Sequence, residues 1–374
     1  MPETNQVDVK AGDNLLLVGT IKGGFLLRSD GARENWQMAG PYFPGRSVYS
    51  LAYDGRNGRR RLWAAVNSPF WGSFLSSSHD FGKTWSDPET YNIKFPEGSD
   101  VSLKQVWQIE MDPHESDTLY CGVEPAALFK STDAGDTWSL ERGLFDHPHR
   151  TEWMPGGGGL CLHTILPDPK NDQRMFVAIS TGGVYCTDDG GKNWQPRNKG
   201  IRAKFMPPEN QFPEWGQCVH KVVSHPSNPD RMFLQHHWGV YRSDNGGESW
   251  EDIGKGLPSD FGFAMEIDPH DGKTVYIIPI ESDEFRCTPE GKLRVYRTKN
   301  GGESWQPLTK GLPQHDALET ILRDNMKADS NNPTGIYFGT RNGKLYGSKD
   351  GGDSWTMIRE GLPAITCVKT AKID

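Results

Sequence analysis

Residues 131–138 read Ser-Thr-Asp-Ala-Gly-Asp-Thr-Trp, and this octapeptide decides the fold because it returns along the whole chain. Its pattern is S/T-x-D/N-x-G-x-S/T/N-W. Five further clear copies end at Trp85, Trp194, Trp250, Trp305 and Trp355, and a seventh ending at Trp36 keeps its ends but loses the middle. Successive tryptophans stand between 49 residues (36 to 85) and 56 residues (138 to 194) apart, the size of one four-stranded propeller blade. An Asp or Asn at the third position bonds backbone N–H groups further round the turn, the Gly accepts a positive φ, and the Trp anchors the hairpin. Asp80, Asp133, Asp189 and Asp350 therefore read as turn staples rather than catalytic acids.

Between the staples each repeat has the same order of strands. In the second unit S-V-Y-S-L-A-Y-D (47–54) reads as the inner strand, followed by R-L-W-A-A-V (61–66), G-S-F-L-S-S-S (72–78) and an outer strand starting at Thr84 and Trp85. The first unit opens directly on its second strand, L-L-L-V-G-T (15–20). A-I-T-C-V-K-T (364–370), after the last unit, supplies the missing inner strand. The expected fold is all-β: a seven-bladed propeller forming one domain over residues 1–374, its ring closed by the C-terminal strand in the first blade. Closure removes the sheet edges that would invite aggregation.

Composition agrees with that reading. Of 374 residues 35% are hydrophobic, with 43 Gly and 13 Trp, which suits a globular chain rich in tight turns. A net charge of −8 provides no basic footprint for nucleic acid or an anionic membrane, so neither is expected as a partner. The run R-N-G-R-R-R (56–61) is short and reads as a solvated hairpin turn. The start M-P-E-T-N-Q shows no secretory pattern and no stretch reaches transmembrane length, so a cytoplasmic location is expected. Six scattered cysteines are expected to be reduced thiols.

The octapeptide is the Asp-box, or BNR repeat, shared by sialidases, xyloglucanases, sortilin-like receptors and a photosystem II assembly factor. The segments G-V-E-P-A-A-L-F (122–129), G-G-G-G-L-C-L-H-T-I (156–165) and Q-C-V-H-K (217–221) resemble a bacterial family labelled exo-α-sialidase or BNR glycosyl hydrolase. Sialidases themselves carry an R-I-P signature and three substrate-clamping arginines. No R-I-P occurs here, and the inner-strand positions considered below hold no arginine, so sialidase activity is not expected. The family resemblance implies a small ubiquitin-like sulfur-carrier protein as a candidate partner.

Topology puts the turns between second and third strands on one face, together with the connections between blades, while the Asp-boxes lie on the other. Function is expected at the mouth of the channel on the loop-rich face. Aligning the inner strands on Asp54, Asp112, Asp168, His225, Asp268 and Asp324, and reading five residues back, gives Tyr49, Trp107, His163, His220, Phe263 and Glu319. Loops add Lys22, Glu124, His236, His237, Glu281 and Arg341. The connections 139–162 and 195–217 contribute His147, His149, Arg150, Glu152, Trp153 and Trp215 as a roof.

His163, His220, Glu124, Glu281 and Glu319 are candidate catalytic groups, and Tyr49, Trp107, His236, His237, Arg341 and Lys22 candidate ligand-binding groups. No cofactor is specified. A divalent metal held by His163, His220 and His237 is one candidate, and a zinc site from Cys161, His163, Cys218 and His220 is another, since alternation puts each Cys on the same side as its His. Two functions stay open: an enzyme, hydrolase or lyase, acting on a small polar or carbohydrate-like ligand, and a non-catalytic platform for a protein partner. An exposed apolar patch on the rim would favour the second.

Overall fold

The six clear Asp-boxes close on themselves in the same way in the computed structural model, which describes residues 5–99 and 101–374. At 131–138 the Ser131 hydroxyl donates to Asp133 Oδ1 (2.8 Å) and accepts from Gly135 N (2.8 Å), while Asp133 Oδ1 also accepts from Thr137 N (2.9 Å). Asp80, Asp189 and Asp350 repeat these bonds. Asn245 and Asn300 keep the backbone bonds and donate their amides to Ser249 and Ser304. Gly135 has φ +93°, and a Cβ there would lie 2.5 Å from the Trp63 ring, so the turn seats directly on the preceding blade. In the degenerate first copy Arg33 occupies the glycine position at φ +56°, and its Nη1 reaches Pro333 O (2.8 Å) in the last blade.

Seven antiparallel sheets form the ring. The inner strands are Ser47–Asp54, Gln105–Met111, Leu162–Pro167, Val219–His225, Gly262–Asp268, Met326–Ala328 and, for the first blade, Ile365–Lys372. The last of these pairs with Asn14–Thr20, matching Leu17 to Lys369 and Val18 to Val368. The ring is thus closed as expected. One expectation fails in the second blade, which has three strands rather than four. After the Asp-box the chain meets the third strand only at Ser86, bonded to Ser77, and at an isolated bridge between Leu75 and Tyr91, while Tyr91, Ile93 and Phe95 are drawn into the core shared with the third blade. Tyr91 Oη there accepts from Arg61 Nη2 at 2.6 Å.

Every inner strand from the second blade to the sixth is interrupted by a bulge near its loop-face end. Pairing with the second strand skips Tyr49, Trp107, His163, His220 and the pair Phe263 and Ala264, and Thr366 is skipped likewise in the closing strand. A bulge turns the extra residue out of the alternation. Beyond it, Gln108, Glu110, Lys221, Glu266, Lys327 and Lys369 line a central cavity of about 570 Å³ that opens on the Asp-box face. These charges compensate one another: Lys221 Nζ lies 2.6 Å from Asp324 and Lys327 Nζ 3.1 Å from Glu266. No helix among the described residues is long and apolar enough to cross a membrane.

Removal of residues 363–374 should open the ring and expose the edge at Asn14–Thr20. Loss of the monomer and a lower melting temperature are the expected outcomes by light scattering and calorimetry. Asp133→Ala should cost about 1 kcal/mol, whereas Asp133→Asn should be mild because asparagine already fills this position twice. Hydrogen bonds from the Thr137 and Asn193 side chains and backbones hold the Asp133 and Asp189 carboxyls down to about 2. A depressed carboxyl stabilises the fold above its unfolded value near 4 and loses that contribution as pH falls toward 2. Acid titration of Asp133→Asn should therefore show a shallower fall in stability than the parent.

Candidate functional site

The bulges send their side chains in two directions. His163 is 0% exposed: Nε2 donates to Val219 O (3.0 Å) of the next blade and Nδ1 faces Thr164 Oγ1 (2.9 Å). Both ring nitrogens are occupied. Burial, with Arg323 close by, holds its pKa well below the usual imidazole value. The expected role of His163 as base or metal ligand is corrected accordingly, since it lies between blades as a clamp. His220 also donates, through Nδ1, to the next blade at Gly262 O (2.6 Å), but its Nε2 faces Cys218 Sγ at 3.6 Å and accepts from that thiol.

Trp107 and Phe263 instead flank a cation that the strand alignment concealed, and Tyr49 packs behind Trp107. Asp329, not Asp324, ends the last inner strand: its N–H bonds Gly335 O just as Asp112 N bonds Thr118 O and Asp168 N bonds Arg174 O. Five residues back stands Asp324, so Glu319 does not share the register and belongs to no strand. Glu319 is buried with Oε1 on Lys344 Nζ at 2.7 Å. That position therefore holds Asp324, and Arg323 stands immediately before it at the shoulder of the ring.

Arg323 is 7% exposed. Its guanidinium lies 5.2 Å from the Trp107 ring and 5.9 Å from that of Phe263, and Nη1 is 3.2 Å from Cys161 Sγ. No carboxylate forms an ion pair with it among the described residues. Trp107 packs on Tyr49 at 5.0 Å and donates Nε1 to Glu124 Oε2 at 3.1 Å. The glycine run passes over this group: a Cβ on Gly159 would lie 2.5 Å from Glu124 Oε1, and on Gly158 3.9 Å from Arg323 Nη2. Gly159, at φ +85°, is thus favoured by its backbone conformation and sits directly over the Glu124 carboxylate.

A second cluster adjoins the first through Phe263, whose ring stacks on His220 at 4.4 Å. Cys218, His220 and His237 each offer one ligand atom within 4.8 Å of the others. Burial pushes the Cys218 thiol up, while Arg323 and Arg286 pull it back. His236, by contrast, is fully buried: Nδ1 accepts from Trp238 N (3.1 Å) and burial pushes its pKa down to about 3. Glu281 and Lys22 are exposed, and Arg341 Nη1 is buried with no partner among the described residues. The two roof connections meet where His149 lies 4.2 Å from Trp215, and Trp153 is buried on Tyr185 (Nε1 to Oη 3.0 Å).

The BNR/Asp-box repeat model matches residues 185–196, which hold the box ending at Trp194. The chain is an Asp-box repeat propeller. Similar curated proteins include a probable oligoxyloglucan-reducing end-specific xyloglucanase of Neosartorya fischeri, 23% identical over 64% of this chain and 32% of that protein. An oligoxyloglucan-reducing end-specific xyloglucanase of Emericella nidulans is 22% identical over 79% of this chain and 39% of its own length. The propeller thus spans 32% and 39% of the length of those relatives. Among solved structures, an ancestral GH74 enzyme aligns with 87% of this chain and 38% of its own at TM-score 0.55 and 18% identity. YCF48 bound to D1 peptide aligns with 95% and 88% at TM-score 0.53 and 16% identity. At these identities the structural likeness is one of fold.

His163→Ala should lower stability by about 2–4 kcal/mol, because it leaves both a cavity and the Val219 carbonyl unpaired. Chemical denaturation measures that loss. Ligand affinity at the mouth should be unchanged.

Proposed function

We propose that the loop-face mouth of this propeller binds a small polar, carbohydrate-like ligand that carries an anionic group. One observation carries the reading: Arg323 is a buried guanidinium with no ion-pair partner among the described residues, set between the aromatic rings of Trp107 and Phe263. Burying an unpaired charge costs several kcal/mol, and an incoming carboxylate or phosphate would offset that cost with paired N–H donors. The half-buried Trp107 ring beside the cation suits the apolar face of a sugar ring, whereas Phe263 is buried against His220. Glu124, held by Trp107 Nε1, is the carboxylate placed to act as acid or base if the ligand is cleaved by hydrolysis or elimination. The carbohydrate class is supported by the xyloglucanase names of the curated relatives.

A second reading, a platform for a protein partner, is favoured by a different observation. Phe70, Trp71, Met154, Phe205, Phe212, Trp215, and Phe285 are exposed, and all belong to connections on the loop face. Solvent-exposed aromatics gathered on one face suit a protein contact.

Arg323→Met separates the two. Calorimetric titration with neutral and acidic oligosaccharides should show binding of an acidic ligand by the parent, weakened by at least about 2 kcal/mol, some thirtyfold, in the variant. The variant should melt no lower than the parent, because an unpaired buried charge has been removed. Equal affinity of parent and variant for acidic sugars would refute the reading, as would failure of the parent to bind any.

A further inference from the structure

Beside the Arg323 mouth, and independent of what binds there, Cys218, His220 and His237 form a group whose protons are already arranged for a cation. A backbone carbonyl can only accept, so the 2.6 Å contact of His220 Nδ1 with Gly262 O places the imidazole proton on Nδ1. The lone pair is then on Nε2, 3.6 Å from Cys218 Sγ. His237 is oriented in a matching way: Asp283 Oδ2 accepts from Nε2 at 3.2 Å and leaves Nδ1 with its lone pair. A carbonyl behind one imidazole and a carboxylate behind the other are the outer partners that metal-binding histidines use to fix tautomer and orientation.

We propose that Cys218, His220 and His237 bind a divalent transition-metal ion, zinc by preference, as a three-ligand site with one open coordination position. One thiolate and two imidazoles suit zinc rather than calcium or magnesium, which select oxygen ligands. Binding transfers the Cys218 proton to solvent, and both imidazoles coordinate as neutral ligands. The dipositive ion, the thiolate and the Asp283 carboxylate then sum to zero charge, which the neighbouring Arg323 and Arg286 tolerate. Ligand atoms around a tetrahedral zinc are about 3.5 Å apart. The Cys218 and His220 pair already meets that spacing, and the group as a whole lies within 4.8 Å. His237 stands just past the end of the Asn228–His236 strand and is half-buried, so it is the ligand with room to close in.

The test uses the full chain, stripped with chelator and titrated with cobalt(II), whose spectrum reports both thiolate ligation and coordination number. One equivalent should produce a thiolate-to-cobalt charge-transfer band with the intense visible bands of a four-coordinate ion, and zinc should displace it. Cys218→Ser should lose the charge-transfer band, and His237→Ala should weaken cobalt binding at least about tenfold. Cys287→Ser, altering the other half-buried cysteine, should leave the titration unchanged. Circular dichroism shows whether each variant has kept the fold. Absence of any band in the parent, or a band that survives in folded Cys218→Ser, would overturn the proposal. Because the readout is metal binding alone, it stands or falls separately from the Arg323 ligand.

Discussion

The ring depends on a hydrogen bond that crosses from one blade to the next at the bulge. Where the inner strand carries one residue too many, the ladder breaks, and the carbonyl at its shoulder must find a partner outside its own sheet. Neighbouring blades provide it: Thr366 Oγ1 donates to Val48 O (2.5 Å), His163 Nε2 to Val219 O, His220 Nδ1 to Gly262 O and Asn325 Nδ2 to Ile365 O (3.0 Å). An unsatisfied buried carbonyl costs about 1–3 kcal/mol. Apolar packing between blades holds them together without fixing their offset. These directional bonds set it, and so determine which side chains reach the mouth.

That device explains which parts of the site sequence could disclose. The Asp-boxes were legible because each is local, its bonds closing within eight residues, and the replacement strand at 365–372 was legible because a unit lacked its inner strand. Period-two alternation, however, carries no mark of a bulge, and one inserted residue reverses which side chains face inward. His163 and Trp107 occupy the same register, yet one is sealed between blades and the other lies over Arg323. In the last blade Asp324 and Asp329 are both acidic residues before a polar neighbour, and neither precedes a proline. Choosing the first promoted Glu319 and hid Arg323. The bond from Asp329 N to Gly335 O, which identifies the true strand end, is a tertiary fact with no sequence signal.

Adjacent residues of that blade show how differently the two ends of the channel treat charge. Burial alone would raise the Asp324 carboxyl, but the ammonium groups of Lys221 and Lys369 outweigh it and hold it well below the ordinary carboxylate range. With Lys327 and Glu266 paired as well, the cavity toward the Asp-box face is largely self-compensated. Its polarity serves the fold. Arg323, one residue away, meets two aromatic rings and a thiol instead.

A chain under selection for stability alone would replace such a cation by an apolar residue of similar volume, because an unpaired buried charge is costly. The same logic applies to the loop above it. Gly156 to Gly159 gives up backbone entropy at every position, and at Gly159, φ +85°, the backbone lies directly over the carboxylate of Glu124. Two local rules of folding are therefore broken within one neighbourhood, by a buried cation with no carboxylate paired to it among the described residues and by a backbone without side chains. Violations of this kind gather where a structure is built to receive something else. The cation, the carboxylate and the bare backbone between them point to the same opening.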